Sequence, residues 1–334
     1  MEEARWYRKL SEKRVRCDLC NHRCVIDDGE RGICGVRENR KGTLYSLVYG
    51  KVIATHVDPI EKKPLLNFLP GTRAFSIATA GCNLKCTHCQ NADISQMPLD
   101  HGRIMGQDTS PEEIVRAAER SNSESIAYTY TEPTIFMEYA YDIAKLARER
   151  GIKNVFVTNG YMTEEALRAI HPYLDAANID LKGFTEDHYH SICGARLKPI
   201  LDNLRLMKEL GIWVEVTTLI IPTVNDSDEI LKNIAEFILS LGPETPWHVS
   251  RFHPTYKMLD IPPTPVQSVI KARQIGLDSG LRYVYSGNVP GDDGESTYCY
   301  KCGEVVIPRY GYQLGITHIK DSKCEYCGAE IDVV

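Results

Sequence analysis

From residue 74 to residue 287, short β-rich runs alternate with helix-length segments six or seven times over. The runs are "AFSIATA" (74–80), "SIAYTYT" (125–131), "NVFVTN" (154–159), "AANIDLK" (176–182), "WVEVTTLII" (213–221), "WHVSRF" (247–252) and "RYVYSG" (282–287). Helical stretches are expected at 110–121, 134–150, 163–170, 199–210, 227–240 and 265–279. "TSPEEIVRAAE" supplies a Thr or Ser cap, a Pro in the first turn and early acidic residues. Strand then helix, repeated this often, predicts an α/β fold with a parallel sheet. The repeat count suits an open or closed (β/α) barrel better than a small doubly wound sheet. In such barrels the chemistry gathers at the C-terminal ends of the strands.

Two breaks divide the chain. "DPIEKKPLLNFLPGTR" (58–73) holds three prolines and a Pro-Gly, and "NVPGDDGEST" (288–297) is polar and rich in Gly and Asp. They predict a cysteine-rich N-terminal module at 1–70, the α/β unit at 71–290 and a small C-terminal module at 291–334. A chain of 334 residues is long enough for this plan. The net charge of −6 gives a nucleic-acid partner no support. No apolar stretch near the start resembles a leader and none is long enough to span a membrane, so the cytoplasm is the expected compartment.

Twelve cysteines fall into groups of four, three, four and one. Without a secretion signal, metal ligation explains such grouping better than disulfides do. Cys299, Cys302, Cys324 and Cys327 form two C-x2-C pairs 21 residues apart, each followed by Gly, as in a zinc ribbon; four thiolates also accept iron. Cys17, Cys20, Cys24 and Cys34 follow C-x2-C-x3-C-x9-C, and suit zinc, with His22 as a substitute ligand, or an auxiliary [4Fe–4S] cluster.

The remaining three lie in "TAGCNLKCTHCQN" (79–91), directly after the first predicted strand. Cys82, Cys86 and Cys89 can hold three irons of a [4Fe–4S] cluster and leave the fourth open to a ligand. A zinc knuckle completed by His88 is the competing reading. Polar residues recur at the later strand ends. Glu132 either faces a ligand or caps the helix after Pro133. Thr158 and Asn159 are a site or a turn. Asn178, Asp180 and Lys182, spaced by two, share one face of a strand. Arg251 and His253 are also two apart, Asn288 closes the last run, and Cys193 stands alone.

"GCNLKCTHCQN" resembles the cluster motif of radical S-adenosylmethionine (SAM) enzymes, in the branch related to pyruvate formate-lyase activating enzymes. The segments "CGVREN", "EPTIF", "SRFHP" and "SGNVPG" are similar to those of the radical SAM member of the AmmeMemoRadiSam system. The resemblance implies a partial (β/α) barrel and a [4Fe–4S] cluster on Cys82, Cys86 and Cys89. It also implies reductive cleavage of SAM to a 5′-deoxyadenosyl radical that abstracts a hydrogen atom. It assigns His88, Thr131, Glu132, Thr158, Asp180, Lys182 and His253 to the SAM pocket. Tyr130 and Thr131 stand where that family carries two glycines. A ferredoxin or flavodoxin reductant is implied, with a protein or small-molecule substrate, glycyl-radical-enzyme activation among the options. The alternative is a non-enzymatic metal-binding adaptor or electron-transfer protein with docking modules at its ends.

Overall fold

The computed structural model describes residues 1–289 and 291–334; Pro290, in the boundary segment 288–297, lies outside the described residues. Its centre is one sheet. Strand β1 (Lys51–Pro59) runs antiparallel to β2 (Arg73–Thr79). From β2 the sheet continues in parallel through β3 (Ser125–Tyr128), β4 (Lys153–Thr158), β5 (Ala176–Asp180), β6 (Trp213–Ile220), β7 (Trp247–Arg251) and β8 (Val284–Gly287). Spatial order follows chain order from β2 to β8, and the two-residue strand Gln107–Asp108 pairs outside β1.

The connecting helices are α1 (Pro111–Arg120), α2 (Met137–Glu149), α3 (Glu164–Ile170), α4 (Lys198–Glu209), α5 (Asp228–Leu241) and α6 (Val266–Asp278). Helix α1 starts where its cap residues predict: Ser110 accepts from the Glu113 N–H and the Glu113 carboxylate accepts from the Ser110 N–H.

Residue parity shows which face each strand turns to the helices, because strand side chains alternate. Phe75, Ile77, Ile126, Tyr128, Phe156, Ala177 and Ile179 belong to the large core shared with the helices. Their neighbours of opposite parity, Ala74, Ala127, Val155 and Ala176, form a separate cluster with Ile60, Leu65 and Phe68. The helix-free face is therefore filled by the segment between β1 and β2. The proline-rich stretch at 58–73, predicted as a boundary, is a plug. Three of its backbone donors are satisfied by a single buried carboxylate: Glu215 on β6 accepts from Leu66 N (3.0 Å), Asn67 N (2.9 Å) and Phe68 N (3.2 Å). Prolines broke the pattern of this stretch, but tertiary hydrogen bonds hold it in place. A division at 70/71 also separates β1 from the sheet it completes.

The N-terminal residues pack into the main core through Val15, Leu19, Val36 and Leu44. Arg37 and Glu138 form a buried bidentate pair across that contact, at 2.8 and 2.7 Å. The C-terminal residues have their own small core of Cys299, Val306, Cys324, Ala329 and Ile331. They are tied to the plug: Asn67 Nδ2 donates to the Asp332 carbonyl (2.7 Å), and Arg309 donates to the Leu66 carbonyl (2.6 Å). No helix among the described residues is long and apolar enough to cross a membrane.

Candidate functional site

Strand β2 ends at Thr79, and the chain turns at Gly81 into the three-cysteine loop. Gly81 has φ +108°, and a Cβ there would meet Val36 Cγ1 at 2.7 Å, so the N-terminal segment packs directly on the loop's entry. The loop lies at the C-terminal ends of the parallel strands. Around it stand residues from the ends of β3, β4 and β5, its successive neighbours in the sheet.

The neighbouring Cys193 side chain pulls the Cys86 thiol below the usual range, and Lys182 acts in the same direction, against burial. The segment carrying Cys193 is pinned to the loop, since its carbonyl accepts from Lys85 N (2.9 Å) and the Ile192 carbonyl accepts from Thr87 N (3.1 Å). Cys89 Sγ lies 3.2 Å from Ser95 Oγ. Cys82 Sγ accepts from Leu84 N at 3.4 Å and lies 3.8 Å from Asn159 Nδ2. That same amide donates to Asn83 Oδ1 at 2.7 Å.

Lys182 donates to Asp180 Oδ2 at 2.8 Å. Burial opposes its charge, yet Asp180, Cys86 and Cys193 together hold its pKa well above the ordinary lysine value. It is therefore a fixed cation beside the loop. Two buried imidazoles complete this side. Burial, then Lys182 and His188, push His88 down to about 3. Burial, then Lys182, push His188 down to about 4. His88 Nδ1, both ring nitrogens of His188, Asn83 Nδ2 and Thr87 Oγ1 are buried without a hydrogen-bond partner among the described residues. Unpaired polar atoms this close together are costly unless a bound group meets them.

Glu132 is only 1% exposed. Its Oε1 accepts from Thr134 N (3.0 Å), Thr134 Oγ1 (2.5 Å) and Thr158 Oγ1 (2.7 Å), and its Oε2 from Asn159 N (2.8 Å). It thus caps the 3₁₀ turn Pro133–Phe136 and locks the end of β4. The carboxylate positions other groups, and four donors already meet it. Thr158 is buried against it, and Thr131 donates to the Thr79 carbonyl at 2.8 Å. Tyr130 has φ +61°, the left-handed conformation that glycine favours, so the backbone path survives the exchange of glycine for tyrosine.

Other expected residues stand apart. Asn178 is fully buried lower in the sheet, donating to the Pro64 carbonyl and accepting from Thr217. It shares the parity of Asp180 but supports the plug. Arg251 donates to the Thr264 carbonyl and Asn288 to Ser250 Oγ, so both brace the loops after β7 and β8. His253 is exposed and has no hydrogen-bond partner among the described residues. Its loop reaches the cysteine loop through Lys257 N, which donates to the Thr87 carbonyl at 3.0 Å. His188 and Asn83 were not singled out from the sequence. Asn83 was findable as a neighbour of Cys82, whereas no spacing or period marks His188.

At the far end of the molecule, Cys299, Cys302, Cys324 and Cys327 bring their sulfurs within 4.8 Å of one another. The opposed pairs are 3.6 and 3.8 Å apart. One ion with Zn–S bonds near 2.3 Å needs tetrahedral edges of about 3.8 Å. Gly303 and Gly328, with φ +78° and +73°, close the two matching turns. This cluster can bind a metal ion.

Sequential parallel strands with a cysteine loop after the first of them define a class, and comparison with known proteins identifies it. The radical SAM superfamily model matches residues 76–238. An uncharacterised protein of Methanocaldococcus jannaschii is 49% identical over the whole of both chains. The pyruvate formate-lyase-activating enzyme of Clostridium pasteurianum is 27% identical over 52% of this chain and 71% of that one. A crystallised radical SAM methyltransferase from Sphaerobacter thermophilus has the same fold, with a TM-score of 0.51 at 15% identity over 68% of this chain and 71% of that one. The chain belongs to the radical SAM superfamily, whose members use SAM and an iron–sulfur cluster.

Proposed function

We propose that this protein is a radical SAM enzyme working at the C-terminal ends of β2 to β5 of a partial (β/α) barrel. The observation that carries the proposal is the set of unpartnered buried polar atoms, His88 Nδ1 and both His188 nitrogens, gathered with Lys182 beside Cys82, Cys86 and Cys89. The donor set fits the group: three thiols for three irons, and a fixed cation for the carboxylate of SAM. When bound, the cluster and SAM supply a 5′-deoxyadenosyl radical for hydrogen-atom abstraction.

The chain's own residues bind and orient. Cys82, Cys86 and Cys89 hold the cluster, with Cys193 beside Cys86. Lys182, steadied by Asp180, meets the SAM carboxylate. His88 offers its neutral ring as a stacking surface for adenine. Glu132 fixes Thr158 and Asn159, and through Asn159 the position of Cys82; Thr131 ties the end of β3 to β2. His253 enters the pocket only if its loop folds inward. The four C-terminal cysteines hold zinc in a structural role. The substrate is a protein or a small molecule, and the similarity to a pyruvate formate-lyase-activating enzyme favours glycyl-radical activation. A ferredoxin or flavodoxin is the fitting reductant.

The test is anaerobic: reconstitute with iron and sulfide, reduce with dithionite, add SAM and quantify 5′-deoxyadenosine. Product from the wild type and none from Cys86→Ala is the expected result. A reducible cluster that yields no product in the wild type would count against the reading.

A further inference from the structure

The four N-terminal cysteines converge from a strand end and the two loops that follow it. Cys17 ends the strand Val15–Cys17, and Cys20 and Cys24 lie in the turn that follows. Cys34 comes from the next loop. All four line one small cavity that opens partly to solvent. The C-terminal cysteines are drawn together as one ion requires, but no three of these N-terminal sulfurs lie within 4.8 Å of one another. Nor do the sulfurs of Cys82, Cys86 and Cys89 all lie within 4.8 Å of one another. A cubane cluster puts each thiolate on its own iron, so its thiolates stand further apart than those sharing one ion. Four cysteines supply one ligand to every iron.

A second observation points to the same occupant. Arg37 lines the cavity and is 2% exposed; its two terminal nitrogens are held by Glu138, but its Nε has no partner among the described residues. A buried N–H on a residue of this wall is available to a sulfur acceptor, and the guanidinium offsets the negative charge that four thiolates give a cluster.

The cavity belongs to the same face as the cysteine loop. Thr134 and Ile135 of the turn capped by Glu132 form part of its wall. His22, also in the wall, donates from Nε2 to the Asn83 carbonyl at 2.7 Å, next to Cys82. Cys20 forms a β-bridge with Met162, just beyond β4.

We propose that Cys17, Cys20, Cys24 and Cys34 hold a second [4Fe–4S] cluster, distinct from the one on the β2 loop. The test replaces Cys82, Cys86 and Cys89 together by Ala in the full chain and reconstitutes it anaerobically with ferrous iron and sulfide. The triple variant retains about four irons and four acid-labile sulfides per chain, and dithionite produces the electron paramagnetic resonance signal of a reduced cluster. Adding Cys20→Ala and Cys24→Ala brings iron and sulfide to background, while the metal on the C-terminal cysteines stays and reports a folded chain. A single zinc or iron at the N-terminal set, without sulfide, overturns the proposal. Should the triple variant fail to fold, Cys20→Ala and Cys24→Ala together in the otherwise native chain serve instead, since two remaining cysteines cannot hold a cluster as three can. Iron falling from about eight to about four supports the second cluster, and iron unchanged at about four overturns it. Neither readout uses SAM cleavage, so failure here leaves the proposed activity standing.

Discussion

At the scale of single residues, this site depends on charges held where burial would otherwise remove them. Lys182 stays protonated because Asp180 lies 2.8 Å away, while His88 and His188 stay neutral beside it. His188 gives this a measurable consequence. Its folded pKa of about 4 lies below its ordinary value of 6.5, so between those values the unfolded chain binds more protons. Stability is fully present above pH 6.5 and is lost as pH falls toward 4. Urea unfolding of the apoprotein at pH 7 and pH 4.5 should differ by on the order of 2 kcal/mol from this group alone. The His188→Phe variant should show a difference smaller by that amount. An unaltered difference would place the sensitivity elsewhere.

Among the elements, the plug between β1 and β2 carries the most unexpected load. Glu215 is fully buried and accepts three backbone donors of the plug; Trp213 Nε1 also donates to it at 3.0 Å, and His248 pairs with it at 2.7 Å. Glu215→Ala leaves all of these unmet and should cost about 3–5 kcal/mol, read as a lower midpoint in chemical denaturation. A loss under 1 kcal/mol would mean that water replaces the carboxylate. Much of the sheet was legible in the sequence, because parallel strands buried on both faces read as apolar runs between capped helices. Ser110, Pro111 and Glu113 marked the start of α1 in this way. The plug was not legible: its backbone partners come from a carboxylate 147 to 149 positions away, and local pattern contains no trace of that. The cysteine loop and the pair Asp180–Lys182 were readable from spacing. Asn178 followed the same rule and lies below the site, since parity gives a side chain's face but not its depth. Glu132 was readable as a strand-end carboxylate, while its saturation by Thr134, Thr158 and Asn159 depended on how three loops meet.

Across the whole molecule, the cysteine sets divide the labour by position. The N-terminal set adjoins the cysteine loop after β2, and the C-terminal set is tied to the plug at the opposite end of the strands. Removing the C-terminal metal should therefore lower stability without emptying the β2 loop. Cys324→Ala is expected to lose about one zinc per chain and to melt earlier, with cluster iron and 5′-deoxyadenosine yield per cluster unchanged. Loss of iron together with zinc would show that the two ends are coupled. The tie between Asn67 and Asp332 spans 265 positions, and that from Arg5 to Asp142 spans 137. Closures this long come late and slowly in folding, because the chain gives up much freedom before the contacts repay it. Until they form, twelve thiols remain reachable by oxidants and stray ions. The order in which metal meets chain, and not affinity alone, then decides how much active protein a cell or a refolding tube recovers.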